Sequence, residues 1–212
     1  DSLFDEISPS SEHAALLDAP PIPGLFFLPS LLIPHELADQ VTQFCMSHYF
    51  AQPGVNQIML FGVAAASGCA PSSGLPPLLS ALLSTISTLL APALPPAVHA
   101  LLFPAAPTRA RQAILNLYRP GEGITPHVDL PARFGDGIVG VSLGSGEAGA
   151  EPVRLFLPAR SVLVLSGAAR YEWTHGIEER MADRVAGAGV VERGVRLSIT
   201  FRWLLPGADV VG

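Results

Sequence analysis

The strongest constraint on the fold is a change of sequence pattern near residue 112. Beyond this point the chain consists of short runs rich in residues that favour β-strands. The runs cover residues 113–118, 138–143, 153–157, 161–165 and 195–204. Glycine, proline and charged residues separate them, as in turns. Short strands at this spacing, without long helical segments between them, are typical of antiparallel barrels and sandwiches. The second half of the chain is therefore predicted to be antiparallel β-structure.

The first half of the chain is predicted to be scaffold. Residues 25–28 form a short apolar strand, and Pro34 begins a helix. A second helix begins at the Pro76–Pro77 pair, because leucine and isoleucine recur beyond it at helical spacing with serine and threonine opposite. A helix with one apolar stripe buries that stripe, so we expect this helix to pack on the sheet.

Length and charge limit the domain count and the kind of partner. The chain has 212 residues, of which 49% are hydrophobic. That is enough for one compact domain, predicted over residues 24–212, after a flexible, proline-rich arm at residues 1–23. The net charge is −6 and all 12 basic residues are arginine. This balance disfavours tight, non-specific binding of nucleic acid, but not transient contact through a few arginines.

Residues 40–108 contain no charged side chain other than histidine. Repeated prolines interrupt the stretch, so it is too broken to cross a membrane. We expect it to be buried in the domain or covered by a protein partner. Cys45 and Cys69 lie in apolar surroundings, which favours buried free thiols over a disulfide. No basic segment followed by an apolar run begins the sequence, and we expect an intracellular protein, nuclear or cytoplasmic.

Residues 195–204 are the most informative run, because the two faces of the predicted strand differ completely. One face carries Val195, Leu197, Ile199, Phe201 and Trp203, and the other carries Arg196, Ser198, Thr200 and Arg202. The first face is predicted to be core and the second to be wet. The polar face fits an ordinary surface strand. It also fits a wall that binds a carboxylate, since guanidinium grips that group with two parallel hydrogen bonds.

Two other runs carry candidate ligands. Asn116 and Tyr118 share a strand face and offer an amide and a phenol that can donate to an acid. His127 and Asp129 are predicted to point the same way from adjacent sites of one strand. His175 supplies a third ligand from a later strand. Two imidazoles and one carboxylate on one face leave coordination positions open, as in non-haem iron oxygenases.

The runs, taken together, resemble the AlkB family of Fe(II)- and 2-oxoglutarate-dependent dioxygenases. The resemblance extends from about residue 57 to residue 204. Its motifs lie at residues 116–118, 126–129, 141–144, 157–161, 170–177 and 196–202. The amino-acid sequence of residues 121–129 and 170–177 is most similar to the eukaryotic branch that includes the tRNA wobble-uridine hydroxylase.

The resemblance implies an α+β, mainly β fold with a double-stranded β-helix (jelly-roll) core and N-terminal helices packed on one sheet. It implies Fe(2+) bound by His127, Asp129 and His175, and Arg196 bound to the distal carboxylate of 2-oxoglutarate. The residues that it implies around that cofactor are Asn116, Tyr118, Ser198 and Arg202. O2 is the co-substrate and ascorbate a candidate reductant. The implied reaction converts 2-oxoglutarate to succinate and CO2 and hydroxylates a substrate C–H bond.

The implied substrate is an N-methylated base in DNA or RNA, bound transiently by a monomer and demethylated with release of formaldehyde. Side chains that could contact a flipped base or its backbone are Phe61, Arg133, Tyr171 and Trp173. Aromatic core and solvated arginine are equally ordinary readings of these positions. Leu130 and Pro131 stand where family dealkylases often carry a second acid, which puts base reading by that route in doubt.

Other functions fit the same residues. One is a hydroxylase of a tRNA wobble base, and another is an oxygenase of a protein side chain or small molecule. A third is a metal-binding interaction module without catalysis, which the pair Arg196 and Arg202 disfavours. A positive groove leading to His127 and His175 would favour nucleic acid, whereas a neutral or acidic mouth would favour a protein or small molecule.

Overall fold

The computed structural model describes residues 14–62, 74–149 and 153–208. Its helices are α1 (His35–His48), α2 (Pro77–Leu90), α3 (Pro96–Leu102) and α4 (Gly167–Tyr171). Its strands are β1 (Leu25–Leu32), β2 (Gln57–Phe61), β3 (Arg111–Tyr118), β4 (Ile124–His127), β5 (Phe134–Gly144), β6 (Glu147–Ala148), β7 (Phe156–Leu157), β8 (Ser161–Leu165), β9 (His175–Ile177), β10 (Ala182–Val185), β11 (Gly189–Glu192) and β12 (Arg196–Leu204).

Six strands form one antiparallel sheet in the order β1-β8-β5-β12-β3-β2. The last strand in sequence, β12, lies between β3 and β5, so strands distant in sequence are neighbours in the sheet. Shorter antiparallel pairs join β4 to β9, β6 to β7 and β10 to β11. This mainly β arrangement, with its helices, confirms the predicted jelly-roll fold. The run at 153–157 is shorter than predicted, because only Phe156 and Leu157 pair as strand.

The alternation along β12 places its two faces as the pattern predicts. Leu197, Ile199 and Phe201 are fully buried in the main core. The opposite face is not wet, since Arg196 and Arg202 are also buried. Val195, which the pattern assigned to the core, precedes β12 and is 50% exposed. That strand therefore has the apolar core on one side and a cavity, into which its polar side chains extend, on the other.

Helices α1, α2 and α3 cover the core face of the sheet. Pro76 and Pro77 stand at the start of α2, as predicted, and fixed proline φ angles favour a helix start. The apolar stripe of α2 is buried, with Leu79, Leu82 and Ile86 in the core shared with the sheet. The uncharged stretch at 40–108 supplies much of this core, which accounts for its composition. No helix in the described ranges has the length and apolar character to cross a bilayer.

The described part of the predicted arm, residues 14–23, is packed against the rest of the domain. Ala15 is fully buried, and its N–H donates to the Arg184 carbonyl at 2.7 Å. Leu16 N–H donates to the Arg154 carbonyl at 2.8 Å. These contacts are made by the backbone, so they leave no pattern in the sequence. Residues 1–13 lie outside the described ranges.

Cys45 is a free, fully buried thiol on α1, as predicted; Cys69 lies outside the described ranges. Burial raises the pKa of the Cys45 thiol to about 12. In a Cys69→Ser variant we therefore expect no labelling of Cys45 by a thiol reagent in the native protein at about pH 8, near the pKa of an exposed thiol. Complete labelling should follow in concentrated guanidinium chloride. Rapid native labelling, followed by mass spectrometry, would contradict this burial.

Candidate metal and cofactor site

The short strands β4 and β9 bring the two predicted histidine ligands together. His127 and His175 are paired across these strands, and their ring centroids are 4.5 Å apart. Gly176 permits the close approach, because a Cβ there would lie 2.7 Å from the Pro126 nitrogen. Ligand atoms of His127, His175 and Asp129 all lie within 4.8 Å of one another. Asp129 does not share a strand with His127 as predicted, because β4 ends at His127 and Asp129 lies in the following loop.

His127 has a defined tautomer in this arrangement. Its Nδ1 lies 2.8 Å from the Thr125 carbonyl oxygen, which can only accept, so Nδ1 carries the proton. Nε2 is left facing Asp129, 3.7 Å from its Oδ1. The nearby Asp129 carboxylate raises the pKa of His127 more than burial lowers it. A cation beside Asp129 would compete with this second proton for Nε2.

Asp129 is a buried carboxylate with one oxygen satisfied and one not. Its Oδ1 accepts a hydrogen bond from Arg202 Nη1 at 2.7 Å. Its Oδ2 is buried and has no hydrogen-bond partner among the described residues. Burial alone would raise the pKa of Asp129, but His127 and Arg202 lower the pKa by more than burial raises it. The carboxylate is therefore ionised. A buried, charged oxygen without a partner costs free energy unless a cation binds it.

His175 is held in the neutral form that ligates metals. Burial lowers its pKa, and the nearby positive charges of His127 and Arg170 lower it further against the opposing effect of Asp129. Two imidazoles and an ionised carboxylate, one oxygen of which lacks a partner, form a donor set that suits Fe(2+). The residues present therefore fit the metal that the sequence predicts.

The three groups stand in the wall of a cavity of about 380 Å³ above the polar face of the sheet. Every residue predicted to contact the cofactor lines this cavity: Asn116, Tyr118, Arg196, Ser198 and Arg202. Across the sheet, on β5, β8 and β1, the wall becomes apolar, with Ile138, Leu163 and Leu25. One cavity thus combines a charged end with an apolar end.

Arg196 lies at the charged end and is oriented by its neighbours. Its Nε donates to Ser142 Oγ at 2.9 Å, and its guanidinium lies 5.7 Å from the centre of the Tyr118 ring. Asn116, two strands from Ser142, accepts a hydrogen bond from Gln57 Nε2 at 2.8 Å. The side chain of Arg196 is buried, so its charge is directed into the cavity rather than into bulk solvent.

The side chain of Arg202 contacts Asp129, one of the candidate metal ligands. Besides Asp129, it donates from Nε to Gln112 Oε1 at 2.7 Å, and it lies 3.6 Å above the Phe134 ring. Gln112 is fully buried and escaped the sequence prediction. Its position offered a signal, since Gln112 shares a strand face with Asn116 and Tyr118.

The four predicted substrate residues separate into one in the cavity and three outside it. Trp173 lines the cavity and is 37% exposed. Phe61 lies on the same face of β2 as the cavity-lining Met59, but is not itself in the wall. Tyr171 is exposed beside the Arg170 guanidinium, and Arg133 packs near the Phe134 ring. Neither Tyr171 nor Arg133 reaches the cavity.

The mouth of the cavity is uncharged among the described residues. The exposed side chains in its wall are Gln57, Met59, Trp173 and Thr174. Arg111 stacks on Trp203 at 3.7 Å and donates to the Leu102 carbonyl. It belongs to the core face of β3, away from the cavity. No positive groove is formed by the residues that line this opening.

A jelly-roll sheet that supplies buried arginines, facing a pair of strands that supplies two histidines and a carboxylate, defines the class of non-haem iron oxygenases. The family model described as the 2OG-Fe(II) oxygenase superfamily matches residues 67–202. The chain belongs to this superfamily. Its cofactors are accordingly Fe(2+), 2-oxoglutarate and O2.

The chain is also similar to several individual proteins over part of its length. It is 39% identical to the uncharacterized protein L905 of Acanthamoeba polyphaga mimivirus, over 43% of this chain and 47% of that protein. It is 38% identical to the tRNA (carboxymethyluridine(34)-5-O)-methyltransferase ALKBH8 of Mus musculus, over 43% and 17%. It is 31% identical to the alkylated DNA repair protein ALKBH8 homolog of Arabidopsis thaliana, over 43% and 33%. The chain spans less than half the length of each of these relatives.

A solved structure confirms the fold. The crystal structure of a Pseudomonas putida prolyl-4-hydroxylase aligns with a TM-score of 0.52, over 87% of this chain and 94% of that one. The two sequences are 14% identical, so the likeness concerns the fold alone.

Proposed function

We propose that residues 24–212 form a single catalytic domain that oxidatively demethylates an N-methylated base in DNA or RNA. One observation carries the catalytic part of this proposal. His127, Asp129 and His175 converge on the wall of a cavity, and the buried Oδ2 of Asp129 has no partner among the described residues. A cation at this position would be the missing partner of the carboxylate oxygen and would be held by three ligands.

Within this proposal, His127 Nε2, His175 and Asp129 hold the iron. The bound metal, with 2-oxoglutarate and O2, supplies the oxidation of a substrate C–H bond, and ascorbate serves as reductant. The protein residues orient the reactants and exclude water. Arg202 fixes the direction of the Asp129 carboxylate through its 2.7 Å contact, and Gln112 fixes Arg202 in turn.

Arg196 is the proposed partner of the distal carboxylate of 2-oxoglutarate. Its guanidinium is buried at the charged end of the cavity, and Ser142 and Tyr118 restrict its orientation. Tyr118, Asn116 and Ser198 supply further hydrogen-bonding groups on the same wall. A buried, oriented guanidinium matches a carboxylate with two parallel hydrogen bonds.

The substrate assignment is supported by the mouth and by the relatives. Trp173 is partly exposed beside His175, where an indole ring can stack on an unpaired base. Two of the matched relatives carry names that concern tRNA or alkylated DNA. Nucleic acid would be a transient partner of a monomer, in keeping with the net charge of −6.

Two other substrates have a specific observation in their favour. Hydroxylation of a tRNA wobble base is favoured by the 38% identity to a protein named for modified uridine at position 34. Oxidation of a protein side chain or small molecule is favoured by the described residues of the mouth, which are uncharged and form no basic groove for a phosphate backbone. A protein partner over the uncharged region at 40–108 would be compatible with either.

The deciding experiment measures succinate and formaldehyde from the purified protein with Fe(II), 2-oxoglutarate and a panel of N-methylated DNA and RNA oligonucleotides. An oligonucleotide that raises both products supports demethylation, provided that His127→Ala is silent. Succinate with a hydroxylated uridine and no formaldehyde supports the tRNA alternative. Turnover of 2-oxoglutarate without any change in a base would overturn a nucleic-acid substrate.

Replacing Trp173 with alanine is expected to raise the KM for the reactive oligonucleotide about tenfold. Stacking of one base on an aromatic ring contributes about 1–3 kcal/mol, and the substitution removes the ring. Turnover of 2-oxoglutarate without oligonucleotide should stay within about twofold, since Trp173 is not a ligand. Tyr171→Ala is the matched control, because this exposed aromatic residue lies outside the cavity. Equal effects of the two substitutions would remove Trp173 from the substrate site.

A further inference from the structure

Arg170, on α4, is the largest fully buried side chain in the described part of the protein. It has no carboxylate within salt-bridge distance there; its hydrogen bonds go to backbone carbonyls. Nη1 donates to the Asp129 carbonyl at 2.9 Å, and Nη2 donates to the Phe134 carbonyl at 3.4 Å. A buried charge without a counter-charge is costly, so its position calls for a reason beyond stability.

The two carbonyls that Arg170 holds stand at the two ends of one turn. Within it, the N–H groups of Arg133 and Phe134 both donate to the Leu130 carbonyl, at 3.1 and 3.0 Å. Arg202 contacts the same two end residues by their side chains, through the Asp129 carboxylate and the Phe134 ring. The turn that carries Asp129 is thus fixed by one arginine at its backbone and by another at its side chains.

Helix α4, which carries Arg170, is itself held in place by hydrogen bonds. The Gly167 N–H, at the start of α4, donates to Asp136 Oδ1 at 2.9 Å. The Ala169 N–H donates to the Pro23 carbonyl at 3.0 Å, which ties α4 to the segment before β1. Five positions beyond Arg170 the chain reaches His175. Arg170 therefore joins the segment that leads to His175 to the loop that carries Asp129.

We propose that Arg170 is a positioning residue that sets the geometry of the metal site by fixing the Asp129 backbone. It touches neither metal nor substrate. Loss of its two hydrogen bonds frees rotation about the Asp129 backbone, and the carboxylate then no longer meets the two histidines in one arrangement. This inference rests on the proposed function, in which Asp129, His127 and His175 bind a divalent cation.

The test measures binding of Co(II), a spectroscopic stand-in for Fe(II), to the purified apo-protein by calorimetry and by visible absorption. In Arg170→Gln we expect the Kd for Co(II) to rise by about 10- to 100-fold, the range typical for loss of an outer partner of a ligand. The absorption bands of the bound ion should change shape. Arg170→Lys, which restores the charge with a single ammonium, should recover part of the affinity.

Arg111→Gln is the matched control. Arg111 is a half-buried arginine that, like Arg170, lies against an aromatic ring and donates to a carbonyl, but it lies on the core face of the sheet, away from the cavity. Its loss should lower the Tm while leaving the Kd and the Co(II) spectrum unchanged. If Arg170→Gln does not fold, Arg170→Lys decides, with at least a threefold rise in Kd expected.

The outcomes separate this inference from the function on which it rests. The metal site is overturned, and the Arg170 proposal with it, if the wild-type protein does not bind Co(II) or if His175→Ala does not weaken the binding. Wild-type protein that binds Co(II) normally, with unchanged Kd and spectrum in the Arg170 variants, overturns the Arg170 proposal alone. An equal loss of affinity in Arg111→Gln also overturns it, because general destabilisation would then explain both.

Discussion

Replacement of His175 by alanine is expected to reduce succinate formation by well over a hundredfold, since loss of an outer partner alone typically costs about 10- to 100-fold. His175 is a half-buried imidazole whose pKa is lowered, and its ring stands 4.5 Å from that of His127. Its removal leaves one imidazole and one carboxylate, which are too few to retain Fe(II) in a site open to O2 and 2-oxoglutarate. Succinate production, followed by NMR with excess Fe(II), measures the effect.

His99→Ala provides the matched control for this prediction. His99 is a half-buried histidine on α3 that hydrogen bonds to the Ser87 carbonyl at 2.9 Å, outside the cavity. Its substitution should reduce stability somewhat and leave turnover within about twofold, as for most changes away from a site. Substantial activity in His175→Ala, confirmed by mass spectrometry of the purified variant, would require a different third ligand.

The strands that form the site could be predicted from sequence because their chemistry alternates with the period of the backbone. Arg196 and Arg202 are six positions, or three periods of the alternation, apart on β12, and both line the cavity. Asn116 is paired directly with Ser198, so one face of two strands supplies much of the polar wall of the cavity. The pattern did not reveal that this face is enclosed, because enclosure depends on β4 and β9 lying above it.

The residues that sequence reasoning missed act across long separations in the chain. Gln112 meets Arg202, and Arg170 meets the Asp129 carbonyl, through contacts between elements that are not adjacent in sequence. Arg170 was visible only as one residue of the segment that precedes His175, and a backbone carbonyl as its acceptor leaves no trace in residue identity. Helix α3 was missed for another reason. At seven residues it is too short to show helical periodicity.

The position of Asp129 shows how a predicted ligand can reach the two histidines from a local structure other than the one predicted. The spacing of His127 and Asp129 predicted two sites on one strand, whereas the strand ends at His127. The carboxylate still faces the histidines because the turn that follows is fixed by Arg170 and Arg202. The geometry of the site is therefore set by tertiary contacts, which the two-residue spacing alone does not encode.

Arg196→Gln is expected to raise the KM for 2-oxoglutarate on the order of a hundredfold, with a smaller change in kcat. Hydrogen bonds to a charged group contribute about 1.5–3 kcal/mol, and each 1.4 kcal/mol corresponds to about tenfold in affinity. Arg196 is buried and already oriented by Ser142, so little ordering is needed when the carboxylate binds. Steady-state succinate formation at varied 2-oxoglutarate gives both constants.

A second co-substrate decides whether the lost contact is with the distal carboxylate. 2-Oxopentanoate has the same carbon chain as 2-oxoglutarate, with a methyl group in place of that carboxylate. The wild-type enzyme should prefer 2-oxoglutarate strongly, because a buried guanidinium without its counter-charge is costly. Arg196→Gln should lose most of that preference. If the variant keeps it, another residue binds the carboxylate. Arg202 is the alternative, but its contact with Asp129 at 2.7 Å predicts that Arg202→Gln weakens metal binding before it weakens co-substrate binding.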